Sequence, residues 1–300
     1  MQMSAMFTDE QVMIRDMAQK FARDQLLPHS DAWDRDSHFP VDVIKRTAEL
    51  GFAGIYVKDD VGGSGLTRTD AALIFEQLAY GDVSTAAFIS IHNMASWMID
   101  TFGSDALRQE WVPRLTSMDL IASYCLTEPG AGSDAASLKT RAVKDGDDYL
   151  ITGTKQFISG AGVSDVYVLM ARTSDDGAKG VSAFIIEKGT PGLSFGANER
   201  KMGWKSQPTA QVIFEDARVP VENLIGAEGE GFKIAMSGLD GGRINIGACS
   251  LGTAEAALKR AKAYLGEREQ FGRKLADFQA LQFKLADMAM EMKAAELMIL

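Results

Sequence analysis

The chain has 300 residues, of which 46% are hydrophobic and 24% charged, a composition typical of a globular protein with room for two or three domains. Its 41 acidic and 31 basic residues give a formal net charge of -10, which argues against nucleic acid as the main partner. No apolar run is long enough to span a membrane. Residues 1–4 lead almost directly to a helix signal at Thr8, which leaves no room for a targeting segment, so we expect a cytoplasmic protein.

The cysteines and histidines predict neither a disulfide framework nor a metal site. Cys125 and Cys249 lie far apart in apolar contexts, which is typical of reduced, buried thiols. His29, His38 and His92 share no ligand spacing, so a structural zinc site is not expected.

From Thr8 to about Arg114 the hydrophobic pattern is helical. Thr8 and Gln11 are placed as a capping box, and Pro28 is expected to stop the helix that follows. The expected apolar face of this helix comprises Met13, Ile14, Met17, Ala18 and Phe21. The sequence therefore predicts an all-helical N-terminal region.

Three further helices are expected in this region. Pro40 can start one that ends near Gly51. Thr69 and Asp70 can start another that ends at Gly81, and a fourth covers residues 89–98.

Near Met118 the hydrophobic period changes from 3.6 towards 2, which indicates strands. The expected strands are residues 121–126, 149–151, 166–171, 181–187 and 211–219. Asp145-Gly146 and residues 189–192 carry turn signals. Because no helix-length segment separates these strands, we expect them to pair antiparallel as a small barrel or sandwich.

After Gly226 the helical pattern returns. The last stretch repeats apolar residues at steps of three and four: Phe278, Leu281, Leu285, Met288, Met292, Ala295 and Ile299. This spacing indicates either a bundle seam or a plain amphipathic core helix. We therefore expect domains at residues 1–118, 119–226 and 227–300, and the apolar end of the last helix suggests a missing partner segment.

The most informative motif is the run YCLTEPGAGSD at residues 124–134. Gly130 and Gly132 allow backbone amides to approach an anion, and Thr127 and Ser133 add directional hydroxyl groups beside them. A cofactor with phosphates and a polar ring needs both the backbone amides and the hydroxyl groups. The alternatives are a glycine-rich surface turn and a dinucleotide-binding fingerprint, and the latter is disfavoured because a hairpin rather than a full helix follows.

Three other motifs carry candidate site residues, and each has a structural alternative. In KQFISG, Phe157 can cover a flat ligand ring and Ser159 can hydrogen-bond the edge of that ring. The structural alternative is that Phe157 is a core residue and Ser159 a turn residue. In LDGGR, residues 239–243, two glycines inside a helix favour close ligand access or a tight helix crossing. In REQFG, Arg268 can pair with phosphate and Phe271 can contact a ring, or the motif is a helix corner.

Five motifs, in their order along the chain, closely resemble those of the acyl-CoA dehydrogenases. They are TEPGAGSD, KQFISG, KMGWKSQPTAQVIFEDARVP, LDGGR, and REQFG with FQALQFKLADMA. The resemblance covers essentially the whole chain. It implies a multi-domain α and β fold with an N-terminal helical domain, a middle antiparallel β-barrel domain and a C-terminal helical bundle that is truncated here.

The resemblance also implies FAD as cofactor and an acyl-CoA as substrate. The residues expected to bind FAD are Tyr124, Cys125, Leu126, Thr127, Gly132, Ser133, Phe157, Ile158, Ser159, Arg268, Phe271, Phe278 and Gln279. The residues expected to bind the acyl-CoA are Ser133, Asp240, Gly241, Gly242 and Arg243. The implied partners are electron-transfer flavoprotein and further copies of the chain in a dimer or tetramer, with FAD reached across a subunit interface.

The reaction implied by the resemblance removes a proton beside the thioester and a hydride from the next carbon, giving a 2-enoyl-CoA. A short branched acyl-CoA, isobutyryl-CoA, is the expected substrate. The family's catalytic glutamate is expected beyond Leu300, and the position that holds it in some members is Gly242 here, so no catalytic residue is assigned. The chain is then a fragment of an enzyme, with a non-catalytic FAD- or acyl-CoA-binding or assembly protein and a flavin-dependent oxygenase or oxidase as alternatives.

Overall fold

The computed structural model describes residues 7–300, and packing divides them into two units. The first unit comprises residues 7–31, 68–87 and 244–300, and the second comprises residues 32–67 and 88–243. The expectation based on residues 1–4, that no targeting segment is present, lies outside the described residues.

Within the described residues the helices and strands follow the expected order. The helices are α1 (Asp9–Phe21), α2 (Ser30–Asp36), α3 (Val41–Lys45), α4 (Arg68–Gly81), α5 (Val83–Phe102), α6 (Asp105–Thr116), α7 (Gly231–Glu267) and α8 (Gln279–Ile299). The strands are β1 (Ala122–Cys125), β2 (Arg141–Asp145), β3 (Asp148–Ser159), β4 (Val166–Arg172), β5 (Val181–Glu187), β6 (Leu193–Phe195), β7 (Thr209–Pro220), β8 (Leu224–Ile225), β9 (Glu269–Gln270) and β10 (Arg273–Lys274). Across residues 7–300, none of the helices combines the length and the apolar character needed to cross a lipid bilayer.

The N-terminal capping box is confirmed. The Thr8 side chain accepts a hydrogen bond from the Gln11 amide at 3.2 Å, and the Gln11 side chain accepts one from the Thr8 amide at 3.1 Å. A single π-helical turn over Ala22–Leu26 follows α1, and the helical backbone ends just before Pro28, as expected. Two orphan amides at the start of α1 are thus satisfied locally.

The expected apolar face of α1 is only partly right, because Met13 is 69% exposed while Ala18 and Phe21 are buried. The helix instead meets α4 through a stripe that contains two glutamines. Gln11 donates to Asp70 and Gln19 to Gln77, each at 2.9 Å. Met13 lies outside this stripe because it is two residues, about 200° around the helix, from Gln11.

In the first unit, α4 and α7 approach each other closely at Gly252. A Cβ atom at this position would lie 1.9 Å from the Glu76 carbonyl oxygen, so no side chain fits. In α8 no residue is buried, and the half-covered positions include Leu281, Leu285 and Ile299. The final helix is confirmed, and its role as a bundle seam stays a prediction.

The second unit contains the expected β domain. All five expected strands are present, and the strands β2, β6 and β8 were not expected. Residues alternate along β4: Val166, Val168 and Met170 enter one hydrophobic cluster, and Tyr167, Leu169 and Ala171 enter another. Both faces of the sheet are therefore covered, which is why its central strands are apolar throughout.

The middle β domain is present, but its pairing departs from the expected all-antiparallel barrel or sandwich. The hydrogen-bonded order is β6-β7-β3-β2-β4-β5-β8, with β1 also beside β4, so the described strands form an open sheet. β1 pairs parallel to β4, with Ala122 opposite Val166 and Cys125 opposite Leu169. The edge strands β6 and β8 have three and two residues, too short to continue the ladder into a closed ring.

His92 joins three elements of the second unit. Its Nε2 donates to the Leu115 carbonyl of α6 at 3.0 Å, and its Nδ1 accepts from the Ala122 amide of β1 at 3.0 Å. The side chain is fully buried, and burial lowers the pKa of His92 to about 4. Protonation would remove the acceptor at Nδ1, so this joint requires the neutral ring.

We expect His92 to make the free energy of unfolding fall as pH drops from about 6.5, the pKa in the unfolded chain, to about 4. The folded pKa is depressed, so the unfolded state binds the proton first, and this group contributes a loss of about 3 kcal/mol over that window. Urea unfolding of the wild type and of His92→Gln at several pH values measures it. The difference between the two should shrink as pH falls; a constant difference would contradict the assignment.

Candidate active site

The run at residues 124–134 leaves β1 and makes a closed turn. The Glu128 amide donates to the Ala131 carbonyl at 2.9 Å, and the Ala131 amide donates back to Glu128 at 3.1 Å. Pro129 and Gly130 form the exposed tip. A Cβ atom built at Gly130 or Gly132 would meet no atom within 4 Å, so the backbone here is open to a ligand on that side.

The predicted site residues of this run differ in exposure. Ser133 is exposed and Thr127 is half-buried, so both hydroxyl groups can be reached. Cys125 and Leu126 are buried in two different hydrophobic clusters, so their backbone atoms rather than their side chains are available to a cofactor. Burial raises the pKa of Cys125 to about 12, so this thiol stays protonated and does not act as a nucleophile.

The second predicted segment, residues 157–159, ends strand β3 and contains a bulge. The register between β3 and β7 shifts between Lys155 and Ile158, and Phe157 has a φ of 59°. The Phe157 ring is 61% exposed, whereas Ile158 is buried. A left-handed phenylalanine is costly, and such strain is concentrated at functional sites.

Ser159 contacts two residues that sequence reasoning did not single out. Its Oγ accepts a hydrogen bond from the Gln207 side-chain amide, and its carbonyl accepts one from Ser123 at 2.5 Å. Gln207 and the preceding Ser206 are buried, and Gln207 Oε1 and Ser206 Oγ have no hydrogen-bond partner among the described residues. The signal for both residues is the segment KMGWKSQPTA, one of the motifs that carry the family resemblance.

The third predicted group lies on α7, in the second unit. Asp240 and Arg243 are exposed and form an ion pair at 3.6 Å, and Arg243 also donates to the Leu239 carbonyl. Gly241 is buried and Gly242 is half-buried. A Cβ atom at Gly242 would lie 3.3 Å from the Met94 sulfur, so Met94 covers this position.

The fourth predicted group lies in the first unit, around the hairpin β9–β10. The Leu275 amide donates to Arg268 at 2.9 Å, and the rings of Phe271 and Phe278 lie 6.3 Å apart, edge to face. Phe271 is 93% exposed with a φ of 55°. Arg273, which was not predicted, places its guanidinium 4.0 Å from the centre of the Phe278 ring.

The structure brings some of the predicted residues together within each unit. Gln279 begins α8 next to Phe278, so Arg268, Phe271, Phe278 and Gln279 are close in the first unit. Within the second unit, the Gln156 amide donates to the Thr127 carbonyl at 2.8 Å and so joins the run at 124–134 to the Phe157 segment. In the part of the chain that the structure describes, no three His, Cys, Asp or Glu side chains are grouped so as to hold a metal ion.

The fold agrees with the comparisons to known families. So do three features of the site: the glycine turn, the exposed ring on a bulge, and the helix that carries Asp240-Gly-Gly-Arg243. The N-terminal, middle and C-terminal domains of acyl-CoA dehydrogenase match residues 8–119, 123–217 and 229–300. The chain belongs to the acyl-CoA dehydrogenase family. Members of this family are FAD-dependent flavoproteins, and FAD is the cofactor of this chain.

Individual relatives are similar over almost the whole chain. The mitochondrial isobutyryl-CoA dehydrogenase of Dictyostelium discoideum is 56% identical, and the alignment covers 97% of this chain and 70% of that protein. Butyryl-CoA dehydrogenase of Megasphaera elsdenii superposes with a TM-score of 0.94 at 38% identity, covering 98% of this chain and 78% of that one. A structure described as the electron transferring flavoprotein of Acidaminococcus fermentans has a TM-score of 0.95 at 43% identity, with the same coverage of 98% and 78%.

The residues of the second unit fit FAD. Buried polar atoms without partners are rare, and Tyr124 Oη, Ser206 Oγ and Gln207 Oε1 are three of them among the described residues. Burial also raises the pKa of Tyr124, so its hydroxyl remains a neutral donor. Together with the open glycine turn and the exposed Phe157 ring, these atoms suit a ligand with phosphates and a polar ring.

We expect Phe157→Gly to separate cofactor binding from stability. Glycine removes the left-handed strain but also the partly buried ring, so the free energy of unfolding should change by less than about 1 kcal/mol. Loss of ring contact should raise the FAD dissociation constant about tenfold, and Phe157→Trp should keep binding near wild type. Flavin titration and urea unfolding measure the two effects, and unchanged FAD affinity in Phe157→Gly would exclude the ring contact.

Proposed function

We propose that the chain is the FAD- and acyl-CoA-binding part of a dehydrogenase that converts a short branched acyl-CoA, isobutyryl-CoA, to the 2-enoyl-CoA, as in valine degradation. The observation that carries this proposal is the 56% identity to an isobutyryl-CoA dehydrogenase over 97% of the chain. The exposed Asp240 and Arg243 on α7 support a ligand with a polar, charged portion at this helix.

In this proposal one set of residues binds FAD and another binds the CoA portion of the substrate. Thr127, Ser133 and Ser159 offer hydroxyl groups to FAD, and Phe157 lies against its ring system. Asp240 and Arg243 hold the CoA portion, with Gly241 and Gly242 allowing close approach. Bound FAD supplies the acceptor for the hydride that leaves the substrate.

The residues in the first unit support a shared cofactor site. Phe271 is 93% exposed in a strained conformation, and Arg268 and Gln279 are also exposed. We propose that they contact FAD bound by another copy of the chain, in a homodimer or homotetramer. We propose an electron transferring flavoprotein as electron acceptor; the resemblance to the family motivates this partner, and the description of one matched structure names such a flavoprotein.

The proton-abstracting carboxylate is part of the proposal. Gly242 carries none, and Asp240 already pairs with Arg243 and is exposed, whereas a carboxylate base works best when desolvation raises its pKa. We propose that a glutamate outside these 300 residues supplies it. The match covers 70% of the isobutyryl-CoA dehydrogenase, which leaves part of that protein to carry such a residue.

Two further proposals concern organisation and location. Domain boundaries near residues 118 and 226 are supported by the three family matches, which end or begin close to them. A reducing compartment such as the cytoplasm is supported by two buried free thiols, Cys125 and Cys249. The Dictyostelium relative is named as mitochondrial, so cell fractionation distinguishes the two locations.

The substrate proposal is tested by a panel of acyl-CoA thioesters with an artificial electron acceptor. The protein is this chain extended at its C-terminus with the corresponding residues of the Dictyostelium relative. We expect kcat/KM to be at least about tenfold higher with isobutyryl-CoA than with butyryl-CoA or octanoyl-CoA, because even one misplaced methylene in an apolar pocket costs about 1–3 kcal/mol. A preference for a straight chain would refute the branched substrate and leave the family assignment intact.

The role of position 242 is tested by Gly242→Glu in the 300-residue chain. Met94 is a flexible side chain that can move to admit the new carboxylate, since its sulfur is the nearest obstacle at 3.3 Å. We expect dehydrogenation of isobutyryl-CoA to rise about 100-fold or more over the wild-type 300-residue chain, as a general base contributes. Gly242→Gln is the matched control without a base, and equal rates in the two variants would contradict the expectation.

A further inference from the structure

Lys155 is a fully buried lysine in the middle of β3. Its exposed fraction is 0%, and its partner Glu128 is 7% exposed. Lys155 Nζ lies 2.8 Å from Glu128 Oε1 and 3.0 Å from the Leu126 carbonyl oxygen. The ammonium group therefore holds two points of the run that contains the glycine turn.

Glu128 extends this junction to a third segment. Its carboxylate accepts hydrogen bonds from the amides of Lys139 at 2.6 Å and Thr140 at 2.9 Å, just before β2 begins. Burial alone would raise the pKa of Glu128, but Lys155 and these bonds hold it below its ordinary value. Burial lowers the pKa of Lys155, and the Glu128 carboxylate opposes that shift. The 2.8 Å contact between Nζ and Oε1, with the two backbone amides on the carboxylate, has the geometry of a hydrogen-bonded ion pair.

Gln156, next to Lys155, also connects β3 to the run at residues 126–128, in this case through its backbone amide. The Gln156 amide donates to the Thr127 carbonyl at 2.8 Å, and its side chain bonds Glu199 at 2.6 Å and Gln211 at 2.7 Å. Immediately after this point the register of β3 shifts and Phe157 takes its left-handed conformation. Three bonds between residues 155–156 and residues 126–128 therefore precede the bulge directly.

Stability alone does not account for a buried ion pair. The desolvation of two charges offsets most of their attraction, and apolar replacements of similar volume are often as stable or more stable. What an ion pair adds over an apolar contact is direction, because its hydrogen bonds fix the positions of both segments.

We propose that Glu128 and Lys155 are positioning residues that set the spacing between two walls of the FAD site, the glycine turn at residues 128–133 and the bulge at residues 157–159. The inference rests on the proposed function for the identity of the ligand. The ion pair holds the open glycines and the Phe157 ring at one separation, so that phosphate and ring contacts are made by a site that is already formed.

The experiment compares Lys155→Met, which keeps an unbranched side chain one atom shorter and without its charge, with Glu128→Gln, which keeps the shape of the side chain and one acceptor oxygen. Arg218→Met is the matched control, because Arg218 forms exposed ion pairs with Asp145 and Asp148 in the same sheet. Two readouts are used: amide hydrogen exchange without FAD, and FAD affinity with the visible circular dichroism of the bound flavin.

We expect the Gln156 amide to exchange about tenfold faster or more in Lys155→Met, while Leu169 and Phe184 in the β4–β5 ladder keep wild-type protection. The FAD dissociation constant should rise about tenfold or more and the circular dichroism of bound flavin should change, with Glu128→Gln intermediate and Arg218→Met at wild type. Failure of the unaltered chain to bind FAD would refute the proposed function. Hydrogen exchange at the Gln156 amide in Lys155→Met, measured without FAD, would then decide whether the ion pair holds the two segments together.

Wild-type exchange at Gln156 in Lys155→Met would overturn the positioning role. Wild-type FAD affinity and flavin spectrum in both variants would overturn it too. If neither variant folds, the pair is a requirement for folding, and the positioning role is likewise overturned.

Discussion

A charge that is completely buried in β3 constrains the rest of the second unit. The Lys155 ammonium has to find partners inside the protein, and it finds them at the Leu126 carbonyl and at Glu128. The chain between these two points must therefore stay against β3 as it leaves β1. The turn from Glu128 to Ala131 and the open backbone at Gly132 follow from that path.

The sheet provides a rigid base for this arrangement. β4 and β5 pair over seven residues each, and their side chains alternate between two hydrophobic clusters, one on each face. β1 enters parallel to β4, so Tyr124 and Cys125 are held by the same ladder as the core. Site residues that stand on strand ends and bulges of such a sheet keep their positions better than residues on a free loop.

The predictability of each feature depends on how local its cause is. The capping box at Thr8 and the apolar strands β4 and β5 were foreseen, because their signals lie within a few neighbouring residues. β2 was missed because it is short and mostly exposed, and the parallel pairing of β1 was missed because it joins segments 44 residues apart, as in Ala122 and Val166. The run at 124–134 and the Phe157 segment are joined by the Gln156–Thr127 hydrogen bond, and their shared role in one site stays a prediction. The burial of Lys155 was not predicted, because no local signal marks a lysine as buried.

Unpaired polar atoms around Ser159 point to a ligand rather than to imperfect packing. Buried polar side chains that join elements of the second unit are satisfied: Asn93 accepts one hydrogen bond and donates two, and both nitrogens of His92 are used. Single unpaired atoms also occur at Trp111 Nε1, Tyr124 Oη and Thr140 Oγ1. Ser206 and Gln207, in contrast, are adjacent, and Gln207 bonds Ser159 while its own oxygen stays unpaired. Leaving a buried polar atom without a hydrogen-bond partner costs free energy. Two neighbouring residues beside the strained Phe157 bulge nevertheless carry such atoms, and this is expected where the polar ring of a ligand completes the hydrogen bonds.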